Sequence, residues 1–104
     1  MEGLELLCFN MISYVGNARS DYIEAIHRAK EGKYEEAQAL MESGRAAFVE
    51  GHKTHGELLV KDASGEGEQV SLLLLHAEDQ MMSAEAFGIL AEEFISVYKK
   101  MEEK

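Results

Sequence analysis

A chain of 104 residues suits one small domain with one core, and a hydrophobic share of 46% is enough for it to fold. Proline and tryptophan are absent, and alanine, leucine, glutamate, lysine and methionine set a helical composition without a built-in breaker. Twenty acidic against ten basic residues, a net charge of −10, argue against nucleic acid and anionic membrane surfaces and favour a partner with a basic face.

The first predicted element runs from about residue 2 to 31. Leu4, Leu7, Cys8, Met11, Val15, Ala18, Tyr22, Ile26 and Ala29 recur at three- and four-residue steps, which is a helical stripe. Its first apolar group, Leu4 to Ile12, is interrupted by Glu5 and Asn10 and lacks a basic leader, so it reads as an amphipathic helix and not as a targeting segment. With one cysteine, Cys8, and no long apolar span, the expected setting is the cytoplasm. Gly32 ends the helix, with Lys30 in its last turn.

A second stripe, predicted over about 34–61, comprises Ala37, Leu40, Met41, Gly44, Ala47, Phe48, Gly51, His55, Leu58 and Leu59. The short connection at Gly32 makes it the antiparallel neighbour of the first. The run "KDASGEGEQ" carries Asp62, Ser64, Gly65 and Gly67 and is the next break.

The third helix is expected over about 68–102, roughly 50 Å long at its rise per residue. One seam reads Leu72, Leu75, Asp79, Met82, Ala86 and Ile89, at alternating steps of three and four, the coiled-coil period. The opposite face reads Leu73, Leu74, Ala77, Met81, Ala84, Phe87, Ala91, Phe94, Ile95 and Tyr98. A helix apolar on two sides needs cover on two sides, and helices one and two supply only one. The seam therefore predicts self-association through parallel copies of this helix. The fold class is all-α, a three-helix up-down-up subunit forming a single domain over residues 1–104.

Chemistry concentrates in "LLLLHAEDQMM", residues 72–82. Symmetry in a cyclic parallel oligomer would bring every copy of Asp79 to the axis, where several carboxylates need a cation, shared protons or water. Oxygen-only ligands suit magnesium or calcium better than zinc. His76 falls beside the seam, in the groove between subunits, three residues from Asp79. It reads either as a structural histidine or as a nucleophile or general base working near neutrality. Asp79 reads equally as a register-setting polar residue. Glu78 is most simply a solvated flanking charge, and His27 an exposed, inert one. His52 and His55 are three apart and could share a ligand, but no further donor completes a zinc set. The methionines are core filler. Phosphate loops, hydrolase triads and metalloprotease signatures are missing from the sequence.

"HAEDQMM" resembles the His-Ala-Gln-Asp-His-Leu-Met signature of the lactose/cellobiose (chitobiose) family of enzyme IIA proteins, components of the bacterial phosphoenolpyruvate-dependent sugar phosphotransferase system. The likeness extends through "GNARSDYIEAIHRAKEGKYEEAQALMESGRAAFVEGH" and "ASGEGEQVSLLLLHAEDQMM", in order and spacing. The resemblance implies a homotrimer and phosphorylation of His76 on a ring nitrogen. It implies the phosphocarrier HPr as donor, a cysteine of enzyme IIB as acceptor, and a β-linked disaccharide of the cellobiose, chitobiose or lactose type as the sugar finally phosphorylated. It also implies a divalent metal, magnesium, held by Asp79 on the trimer axis. Three positions depart from the family pattern. Glu78 replaces a glutamine, Gln80 a histidine, and His55 stands near another glutamine, which suggests an exchange of imidazole and amide between positions 55 and 80. These three are the expected neighbours of the site. A non-catalytic trimeric relative and a metal-binding helical bundle are the rival readings.

Overall fold

The computed structural model describes residues 3–67 and 69–103. They form three helices, α1 (Gly3–Lys30), α2 (Tyr34–Ala63) and α3 (Leu72–Glu102), and no strand is present among the described residues. The subunit measures 55 × 24 × 19 Å, so the helices lie lengthwise beside one another. No helix among the described residues is long and apolar enough to cross a membrane.

Both turns are closed by the same device. Gly32 adopts φ +79° and Gly65 φ +85°, where a side chain would be strained. Lys33 N–H donates to the Arg28 carbonyl and Gly32 N–H to that of Ala29. Glu66 N–H donates to the Lys61 carbonyl and Gly65 N–H to that of Asp62. Each pair is a Schellman motif, which satisfies the last carbonyls of a helix and reverses the chain. Lys61 is thus the limit neither of α2 nor of its turn, and the helix continues to Ala63.

The first described helical residue of α3 is Leu72, later than the predicted start; residue 68, the start given by the sequence pattern, lies outside the described residues. Ser71 explains the start. Its hydroxyl oxygen accepts from Leu74 N–H at 3.1 Å, and its own backbone is extended, as an N-cap requires.

The core has two parts. Cys8, Met11 and Val15 of α1 meet Ala77, Met81 and Ala84 of α3. Further along, Ala18, Tyr22, Ala25 and Ala29 meet Ala37 and Met41 of α2 and Ala91 and Ile95 of α3. The order of these contacts makes α1 and α3 parallel, with α2 antiparallel to both, as an up-down-up subunit requires. Small residues bring the backbones close. The Tyr22 ring is held between two glycines: a Cβ on Gly44 would lie 2.6 Å from its Cε1, and one on Gly88 2.9 Å from its Cε2. A Cβ on Gly51 would meet Val15 Cγ1 at 2.8 Å.

The predicted α3 core face holds at Ala77, Met81, Ala84, Ala91 and Ile95, which are buried. It fails at Phe87 and Phe94, which are 38% and 48% exposed. At about 100° per residue these two fall on the same flank as His76, at the outer edge of the face that α1 covers. The predicted seam is open: Leu72, Leu75, Asp79, Met82, Ala86 and Ile89 are all exposed in the subunit. Apolar exposure continues through Leu90, Val97 and Met101. That continuation steps by four at Ala86–Leu90 and spans eleven residues from Asp79 to Leu90 and from Leu90 to Met101. The stripe therefore follows a straighter helix than a strict heptad would over its second half.

Candidate functional site

His76 is the fifth residue of α3 and is exposed. It lies on the flank of α3 turned toward α1, between the buried face at Ala77 and the open stripe at Leu75 and Asp79. Its imidazole shares an apolar depression with Leu72 and Leu73. An imidazole in this position can meet another protein, because it is exposed among the described residues.

Asp79 is also exposed and stands within the open apolar stripe, between Leu75 and Met82. Its residue type and place are those of a carboxylate that symmetry could bring together with its copies. No group of three or more His, Cys, Asp or Glu that could hold a metal occurs among the described residues of one subunit. The Asp79 carboxylate supplies oxygen donors of the hard kind that magnesium takes.

The remaining candidates divide between the two sides of α3. Gln80 is one turn beyond His76 on the same flank, and its Oε1 accepts from Arg19 Nη1 at 2.7 Å. Glu78 is on the other flank, about 200° around the helix from both His76 and Gln80. There its Oε2 is 2.7 Å from Nε2 of His55, a residue only 8% exposed. The expected exchange between positions 55 and 80 is therefore not made within the subunit. Each side chain has a different partner, and the helical period turns them apart. Two of the three departures from the family pattern, His55 and Glu78, instead meet each other across the α2–α3 contact. Within one subunit Glu78 is not a neighbour of His76, nor is it the free solvated charge that its sequence position suggested.

The other titratable groups are accounted for locally. His52 is exposed, with its ring 6.4 Å from that of His55 and 6.0 Å from that of Phe48. His55 turns inward to Glu78, whereas His52 faces outward. His27 is exposed beside Glu24. The Cys8 thiol is fully buried, and burial first, then the Glu78 charge, push its pKa up. A thiol so placed stays protonated and is a poor nucleophile. Arg19 is the functional candidate that helical periodicity does not single out, although it stands in the "GNARS" stretch that carries part of the family resemblance. It is 61 positions from Gln80, and only the fold brings the two together.

Along nearly its whole length the chain is similar to known proteins of one family. The family described as "PTS system, Lactose/Cellobiose specific IIA subunit" matches residues 6–99. The lactose-specific EIIA component of Streptococcus mutans is 33% identical over 99 residues, covering 95% of each chain. The oligo-beta-mannoside-specific EIIA component of Bacillus subtilis is 37% identical over 95 residues, covering 91% of this chain and 86% of that one. Among solved structures, the cellobiose-specific enzyme IIA from Bacillus anthracis superposes with a TM-score of 0.94 at 41% identity, over 100% of this chain and 96% of that one. A chain from the IIA(chitobiose)–HPr complex of the Escherichia coli phosphotransferase system gives a TM-score of 0.84 at 32% identity, over 98% and 99% of the two chains.

Proposed function

Because the chain belongs to the lactose/cellobiose-specific IIA family of the phosphotransferase system, we propose that it is a cytoplasmic phosphohistidine carrier with His76 as the phosphorylated residue. The observation that carries this reading is the exposed imidazole of His76 beside an apolar depression, at the outer edge of the α3 flank that faces α1. A lone pair on its ring attacks phosphorus on the phosphohistidine of HPr. The N–P bond to His76 forms as the bond in HPr breaks, and the electron pair returns to the HPr imidazole. The second step runs the same way. A thiolate of the IIB component attacks, an S–P bond forms, and the pair returns to His76. Each step exchanges one high-energy phosphoryl bond for another, so positioning and charge stabilisation supply most of what catalysis needs.

The open stripe of α3 supports assembly as a homotrimer around parallel copies of that helix, since a row of apolar side chains this long is unfavourable in water. Asp79 would then gather at the axis and hold a divalent cation, of which magnesium is the best chemical fit. The cation would neutralise repulsion between subunits, and no chemical step passes through it. The sugar is assigned only as a β-linked disaccharide of the lactose, cellobiose or chitobiose type, in keeping with the names of the relatives. The net charge of −10 favours docking on carriers with basic faces.

The rival, a non-catalytic trimeric relative, draws on the three departures at positions 55, 78 and 80. Two of them satisfy each other and the third binds Arg19, and none obstructs His76. Incubation with phosphoenolpyruvate, enzyme I and HPr decides between the readings. The carrier takes an acid-labile, base-stable phosphoryl label that His76→Ala abolishes, and an unlabelled wild-type chain with active partners rejects the proposal.

A further inference from the structure

We propose, resting on the carrier reading above, that Arg19 is the residue that binds the phosphoryl oxygens on His76, and that Gln80 holds it in place for that task. His76 and Gln80 are four apart on α3, so their Cβ atoms are about 5–6 Å apart on one face. Side chains of a helix lean toward its N-terminus, which carries the Gln80 amide toward the turn of His76. Arg19 Nη1 donates to that amide at 2.7 Å. The guanidinium is thus held on the same flank of α3 as the imidazole, one turn along, where a phosphoryl group would project.

The charge count assigns it the role. α1 carries no lysine or arginine from residue 3 to 18, and α3 none from residue 72 to 98. Arg19 is the one cation that this pair of helices can bring to the first half of α3. Both other arginines pair with carboxylates: Arg28 with Glu24 and Glu31, and Arg45 with Glu92. Arg19 pairs with a neutral amide instead, so its positive charge is not cancelled by the contact that positions it. A guanidinium has five N–H donors in a fixed fork, and one bond to Gln80 leaves an edge open for two phosphoryl oxygens. Such a partner suits a phosphoryl group, which is dianionic once it is on the imidazole. The half-buried setting and the adjacent Leu72 and Leu73 strengthen the attraction by excluding water.

The test uses the full chain with phosphoenolpyruvate, enzyme I and HPr, comparing wild type, Arg19→Lys and Arg19→Gln. In Arg19→Gln, transfer from HPr slows on the order of a hundredfold, the usual effect of losing one oxyanion partner. Arg19→Lys keeps the charge without the fork and recovers part of the rate. The phosphoryl group titrates at higher pH by phosphorus NMR in Arg19→Gln than in wild type, a change that a merely structural α1–α3 bridge would not produce. Equal rates and equal titrations in folded variants overturn the inference while leaving the carrier reading intact. If Arg19→Gln does not fold, wild type decides: the Arg19 Nε–H resonance shifts on phosphorylation and returns on hydrolysis, and an unmoved resonance overturns the proposal. A wild-type chain that takes no label ends both readings together.

Discussion

Replacing Gly44 by alanine tests whether the three helices are held apart by the Tyr22 ring. In an exposed helix interior this change is favourable by about 0.5–1 kcal/mol, because alanine restricts the unfolded chain and suits a helix. At Gly44 the new methyl would lie 2.6 Å from Cε1 and 2.8 Å from Cδ1 of Tyr22, and 3.2 Å from the Ala18 carbonyl oxygen. The ring cannot retreat, since on its far side Gly88 already approaches so closely that a Cβ there would sit 2.9 Å from Cε2. α2 must then move away from α1, at the cost of about 1–3 kcal/mol usual for overpacking. The net expectation is a loss of about 1–2 kcal/mol, or roughly 5–10 °C in Tm for a domain of this size. Gly56→Ala is the control on the same helix, for nothing lies within 4 Å of its Cβ position. It should be neutral or slightly stabilising. Thermal and urea unfolding at one fixed chain concentration give both values, the concentration being held because self-association would shift Tm. Shrinking the ring with Tyr22→Leu should abolish the Gly44→Ala penalty in the double variant. A Gly44→Ala protein as stable as Gly56→Ala would refute the packing argument.

Three other outcomes follow from named contacts. A double-mutant cycle of His55→Gln and Glu78→Gln should give a coupling of about 1 kcal/mol, less than a fully buried charged hydrogen bond because the carboxylate side chain is 36% exposed; additive losses would show that the two groups do not interact. The Tyr34 phenol, whose hydrogen bond to Glu102 raises its pKa to about 12, contributes stability that is complete below the unfolded value near 10 and disappears as pH rises through 12. Tyr34→Phe should flatten the fall in stability across that window, as read by urea midpoints at stepped pH, and an unchanged slope would discount the bond. The buried Cys8 thiol should react with iodoacetamide only as the chain opens, so its alkylation rate should rise with urea in step with unfolding; rapid labelling of the folded chain would contradict its burial.

The sequence was most legible where periodicity alone decides the outcome. The α1 stripe, the α2 stripe through Leu58 and the buried Ala77–Met81–Ala84 run follow from steps of three and four. So does the contrast between that run and the open residues Leu75, Asp79 and Met82. Periodicity was less useful at the helix edges. Phe87 and Phe94 are apolar and sit near the core face on a helical wheel, but burial there depends on how far a neighbouring helix reaches. The start of α3 was misread because the glycines of "SGEGEQ" are conspicuous, whereas the cap is a single serine, Ser71. Pairing across helices was not legible at all. Spacing tells which residues share a face of one helix; it does not tell which residue of another helix faces them. That is why His55 was matched with Gln80 when its partner is Glu78, and why Arg19 went unnoticed.

The same helical period accounts for the charged residues set among leucines at the start of α3. Successive residues turn by about 100°, so His76, Ala77, Glu78, Asp79 and Gln80 cannot share one environment. Only Ala77 enters the core, where it is fully buried, and it is the one member of the five without a polar side chain. Glu78 turns to α2 and finds His55, Gln80 turns to α1 and finds Arg19, and His76 and Asp79 are left on the surface. No charge is therefore buried without a partner, and the desolvation cost that the run "LLLLHAEDQMM" threatens is never incurred. The arrangement also fixes the spacing. One residue inserted between Ala77 and Glu78 would turn Met81, Ala84, Ala91 and Ile95 out of the core as well as Asp79 off the open stripe, so the steps from His76 to Asp79 and to Gln80 are separable only by substitution. Gln80→Ala keeps the core face, His76 and Asp79 in place and removes the amide that holds Arg19. It should slow the labelling reaction and leave the sedimentation of the chain unchanged; labelling at the wild-type rate would show that the four-residue step from His76 to Gln80 is not required.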